Sequence, residues 1–88
     1  MSILFILYLL STPYNTGDCI KYTLPNAEGI PMLITDEGDG WYDVFYVYPG
    51  IGDIHFRASA TRLERDTIAI DKSKCNVYNK KLGHPASK

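Results

Sequence analysis

Trp41-Tyr42-Asp43-Val44-Phe45-Tyr46-Val47-Tyr48 is the stretch whose reading decides the fold. Aromatic and β-branched side chains fill it, and these favour the extended, pleated backbone. Glu37-Gly38-Asp39-Gly40 precedes it and Pro49-Gly50-Ile51-Gly52 follows it. Both flanks carry glycine, which accepts the positive φ that tight turns demand. The stretch therefore reads as one strand between two turns. Working outward, Met32-Leu33-Ile34-Thr35-Asp36 reads as the strand before it and Asp53-Ile54-His55-Phe56-Arg57 as the strand after it. Earlier still, Gly17-Asp18 leads into the alternating Cys19-Ile20-Lys21-Tyr22-Thr23-Leu24, and Pro25-Asn26-Ala27-Glu28-Gly29 forms a loop. Later, Ala58 to Glu64 reads as a short helical turn, and Thr67-Ile68-Ala69-Ile70-Asp71 as a last brief strand. Short strands with turn signals roughly every ten residues predict a small all-β barrel or sandwich.

Alternation along the deciding strand raises a packing question. Successive side chains of a strand point to opposite faces. Trp41, Asp43, Phe45 and Val47 share one face, and Tyr42, Val44, Tyr46 and Tyr48 share the other. Both faces are mostly apolar. The opening run Ile3-Leu4-Phe5-Ile6-Leu7-Tyr8-Leu9-Leu10 is apolar on both sides too. A small barrel takes one face of each strand inside, so the other face needs cover, from the opening strand or from a second chain. Exposed, it would be an aggregation hazard.

The opening run admits three readings. A signal peptide wants a basic segment and a small-residue cleavage site, and no Lys or Arg precedes Lys21. A membrane-spanning helix needs about 20 apolar residues, and this run is shorter than half that. A buried strand or packing arm fits the length and the breakers Pro13 and Asn15-Thr16-Gly17.

The chain has 88 residues and a formal net charge of −1. That length allows one domain with one small core, and that charge gives no signal of a strongly electrostatic partner. Charge is unevenly placed: acidic side chains outnumber basic ones over residues 1–65, and lysines outnumber Asp66 and Asp71 over residues 66–88. The lysine-rich end reads as a solvated tail, with docking on an acidic surface or nucleic acid as the alternative. Cys19 and Cys75 stand far apart in sequence without a Cys-x-x-Cys motif. One disulfide is open to them in an exported protein; lacking a clear export signal, two reduced thiols are expected.

From Gly17 to Arg65 the chain resembles the small SH3-like barrels of bacteriophage proteins and of the KOW and Tudor-like families. Gly17-Asp18-Cys19-Ile20-Lys21-Tyr22 resembles the opening strand, Gly29-Ile30-Pro31-Met32-Leu33-Ile34 the glycine-led second strand, and Trp41 to Tyr46 the aromatic third strand. His55 to Glu64 resembles the closing turn that ends in Arg62-Leu63-Glu64. The resemblance implies a non-enzymatic virion part or accessory module.

Candidate chemistry is sparse. Asp36-Glu37-Gly38-Asp39-Gly40 resembles a calcium loop only in part. An EF-hand needs a bidentate Glu at its twelfth position, and Val47 stands there, so an acidic turn is expected and no metal site. Alternation places His55 on the surface beside Arg57, and His84 has no ligand spacing to any partner. Cys19, His55 and Asp53 supply the types for nucleophilic catalysis, yet nothing in their spacing brings them together.

The expectation is thus an all-β, five- or six-stranded SH3-like barrel over residues 17–71. An apolar strand or arm at 1–16 and a basic, mostly irregular tail at 72–88 flank it. No enzyme, cofactor or membrane span is expected. The expected partners are other protein subunits, identical or different, in a virion or host cytoplasm, with secretion the lesser reading. Ile3, Phe5, Leu7, Leu9, Trp41, Tyr46 and Tyr48 are the candidate contact residues. The alternative is a KOW-like module that binds nucleic acid or RNA polymerase through Arg57, Arg62, Arg65, Lys80 and Lys81. A third reading is a small phage-encoded inhibitor of a host protein that uses the acidic face.

Overall fold

The computed structural model describes residues 14–23 and 29–83. The expected contact residues Ile3, Phe5, Leu7 and Leu9 lie outside the described residues, as does the end of the basic tail from His84.

Five strands form one antiparallel sheet: β1 (Cys19–Tyr22), β2 (Met32–Gly38), β3 (Trp41–Tyr48), β4 (Gly52–Ser59) and β5 (Thr67–Ile70). Their order across the sheet is β4-β3-β2-β1-β5. Helix α1 (Ala60–Asp66) links β4 to β5, and a 3-10 turn (Lys72–Cys75) leads into α2 (Asn76–Lys81). Among the described residues no ladder joins β4 to β5, so the sheet is open at both edges.

The turns follow from the residues that fill them. Pro49 and Gly50 are the central pair of the β3–β4 turn, with Gly50 at φ +84°. Ile51 N–H donates to the Tyr48 carbonyl at 3.0 Å. Proline then glycine with a positive φ is the type II arrangement. In β2 the register shifts between Ile34, opposite Val44, and Asp36, opposite Asp43. Thr35 is the extra residue of this β-bulge, and its hydroxyl donates to the Asp43 carbonyl at 3.3 Å. The extra residue bends the strand and keeps Asp36 and Asp43 on the same, outward side.

The sheet carries one core on each face. On the first face Ile20, Met32, Ile34, Tyr42 and Val44 pack with Leu63 of α1 and with Tyr14, all buried. Tyr14, which the sequence reading put in the arm, thus belongs to the core. On the second face Cys19, Leu33 and Phe45 pack with Cys75 and Tyr78. Each large apolar side chain so buried contributes roughly 1.5–3 kcal/mol.

Two expectations are corrected here. The cysteines are not reduced thiols: Cys19 and Cys75 form a disulfide across a sequence separation of 56, with Cα atoms 5.8 Å apart. Nor is the stretch from Lys72 irregular, since it holds the 3-10 turn and α2 through Lys81. Cys75, Tyr78 and Leu82 recur at helical spacing and turn to the sheet. The Lys72 ammonium lies 3.7 Å from the Asp18 carboxylate, which ties the same turn to the start of β1.

Candidate interaction surface

Trp41 is built into its place. It stands opposite Gly38 in the β2–β3 register, and its indole lies where a Cβ on Gly38 would be. Over the ring sits the Arg57 guanidinium, 3.8 Å from the centroid, in the geometry of a cation–π contact. Arg57 is fixed in turn by Asp43, with Nε donating to Oδ1 at 2.8 Å and Nη2 to Oδ2 at 3.1 Å. This fork holds the Asp43 carboxyl below its usual range, chiefly through the Arg57 hydrogen bonds. Gly38 and Arg57 thus both pack against the indole, and Trp41 is half-buried. A side chain at Gly38 must displace the ring. Gly38→Ala is expected to destabilise the fold by about 1–3 kcal/mol and to shift the emission of the single tryptophan. An unchanged spectrum and melting curve would contradict this packing.

The first face ends in an aromatic ledge. Tyr22, Tyr46 and Phe56 are half-buried against the core. Tyr46 and Phe56 meet edge to face with centroids 6.2 Å apart. Beside the ledge, the β3–β4 turn carries Tyr48 at 38% exposure and Ile51 at 71%. Of the contact residues expected on β3, Tyr46 and Tyr48 thus lie together at one end, and Trp41 stands on the opposite face. Ile51 and Phe56 were missed by the sequence reading. A turn residue gives no periodic signal, and Phe56 reads there as ordinary core.

Tyr42 anchors the interior behind this ledge. Its hydroxyl donates to Glu64 Oε2 of α1 at 2.6 Å and accepts from the Tyr14 backbone N–H at 3.4 Å. Burial first, and the Glu64 hydrogen bond second, push its phenol far above the usual tyrosine range. The Tyr14 hydroxyl meets Thr67 Oγ1 at 2.8 Å. These polar groups are satisfied internally, as buried ones must be, and they lock α1 onto the sheet.

The basic residues do not gather into one patch. Arg57 stands on the second face, while Arg62 and Arg65 lie on α1, whose Leu63 packs on the first. Arg65 Nε donates to Asp66 Oδ1 at 2.9 Å, and Lys81 lies 3.5 Å from Asp53. Arg57, Arg65 and Lys81 therefore have carboxylate partners within the chain. Cys19, bonded to Cys75, has no thiolate to offer, and His55 packs its ring on Phe45 at 4.6 Å. No helix among the described residues is long and apolar enough to cross a membrane. No protein family, curated protein or solved structure matches the chain.

Proposed function

We propose that the chain is a non-enzymatic protein–protein interaction module that docks through its aromatic ledge and the β3–β4 turn. The observation that carries this reading is the grouping of Tyr22, Tyr46 and Phe56, half-covered, beside the exposed Tyr48 and Ile51. Tyrosine and phenylalanine are enriched at interfaces, because each brings a large apolar body, and tyrosine adds a polar tip. An SH3-like barrel remains our reading of the fold. A first strand lying between the second and the last, with a helical link between the fourth and the last, supports it. The disulfide supports an oxidising setting such as an exported protein or a particle surface, and a small virion component is the form of module we favour. The intramolecular pairing of Arg57, Arg65 and Lys81 weighs against the nucleic-acid reading, which needs free cations along a groove.

The test is site-specific photocrosslinking in the native host. A photoreactive phenylalanine analogue at Tyr48 or Ile51 is expected to give discrete adducts, and the same analogue at the exposed Thr61 none. Adducts at Thr61 alone, or at none of these positions, would sink the reading.

A further inference from the structure

The β4 edge faces no other strand among the described residues. It is eight residues long and contains neither proline nor lysine, two of the devices that blunt an open edge; its charged residues are Asp53 and Arg57, one of each sign. Its outward hydrogen-bonding groups can be identified. Ala60 N–H donates to the Gly40 carbonyl at 2.9 Å, which fixes the phase of the β3–β4 ladder. Bonded pairs alternate along an antiparallel ladder. Ala58, Phe56 and Ile54 therefore bond to β3, and Asp53, His55 and Arg57 direct N–H and C=O away from it.

We propose that this edge pairs with β4 of a second copy, antiparallel, about a two-fold axis through His55. The proposal rests on the interaction-module reading and adds to it a second surface, the β4 edge, whose partner is another copy of the chain. In this register His55 faces His55 of the second copy, Asp53 faces its Arg57, and Ile54 faces its Phe56. All the outward N–H and C=O groups of Asp53, His55 and Arg57 meet partners, each facing pair exchanging two bonds. Opposite charges meet twice by symmetry, and a half-buried isoleucine meets a half-buried phenylalanine twice. Within each copy Arg57 already binds Asp43 and Asp53 already lies beside Lys81. Joining the edges therefore makes a row of alternating sign: Asp43, Arg57, then Asp53 and Lys81 of the second copy. A slip of one pair in the register places His55 against Arg57 and Asp53 against Ser59, which removes both ion pairs. The charges select the proposed register.

Sedimentation velocity of the oxidised, full-length protein over a concentration series tests this. A reversible dimer is expected. Asp53→Arg and Arg57→Asp, each alone, set like charges opposite one another and are expected to weaken the dimer by about tenfold or more. An equimolar mixture of the two variants is expected to recover it, because each then offers the charge that the other needs. His55→Pro removes an outward N–H while sparing the β3 ladder, and it is expected to abolish the dimer even if a charge variant fails to fold. A wild type monomeric at every concentration, a dimer indifferent to all three substitutions, or a mixture of folded variants that stays monomeric overturns the proposal. A monomer that still crosslinks through Tyr48 overturns self-pairing alone. A dimer without those adducts overturns the ledge alone.

Discussion

Cys75→Ser is expected to lower the stability of the fold by about 2–5 kcal/mol, the usual cost of removing a native bridge from a small domain. The bridge closes a loop with a sequence separation of 56, for which the chain-entropy account gives about 4 kcal/mol. It also fastens the 3-10 turn and α2 over Leu33 and Phe45. Cys75, Tyr78 and Leu82, with the Lys72–Asp18 and Lys81–Asp53 pairs, are contacts that hold that segment down. Exposed ion pairs of this kind contribute well under about 1 kcal/mol each. A domain of this length has only several kcal/mol in total, so the variant is expected to melt far below the wild type. Reductant is expected to lower the wild-type melting temperature and to leave Cys75→Ser unmoved. A wild type whose melting ignores reductant, or which takes up iodoacetamide while folded, would contradict the bridge.

Phe45→Ala is expected to cost about 3–5 kcal/mol, the range for emptying a buried aromatic site. Phe45 is fully buried. It meets the Tyr78 ring edge to face, with centroids 5.6 Å apart, and the His55 ring at 4.6 Å. The helix above it is joined by the disulfide and has little freedom to settle into the space left, so the cavity term persists. Tyr48→Ala, by contrast, removes an exposed ring and is expected to change stability by less than about 0.5 kcal/mol. Urea unfolding of the two variants separates core from docking surface on one strand. Similar losses for both would refute the assignment of the two faces of β3.

The strands were legible because glycine and proline mark their ends. Trp41–Tyr48 was read at its true bounds, and the helical turn before β5 was anticipated from Ala58 to Glu64. The two apolar faces of β3 were legible as well, but their cover was misassigned. The sequence offers the opening strand or a second chain as that cover, whereas Tyr78 and Cys75 of the same chain cover Phe45. Lysines surround those residues and lower the local hydropathy, so the spacing of Cys75, Tyr78 and Leu82 was lost in a segment that looked like a solvated tail. The disulfide was missed for a related reason. Cysteine pairing depends on proximity in space, which the β1–β5 ladder supplies by setting Cys19 opposite Ile70. Trp41 was legible as a candidate contact residue, but the residues that pack on it, Gly38 and Arg57, sit on neighbouring strands. Their register cannot be read from one strand alone.

The bridge joining Cys19 to Cys75 has a consequence for how the protein is made. The chain holds two cysteines, so oxidation within one molecule has a single possible product, and no isomerase is needed to sort wrong pairings. Scrambling can occur only between molecules. Any mispairing of the chain's own cysteines therefore appears as a covalently linked oligomer on a non-reducing gel, never as a monomer with the wrong internal bond.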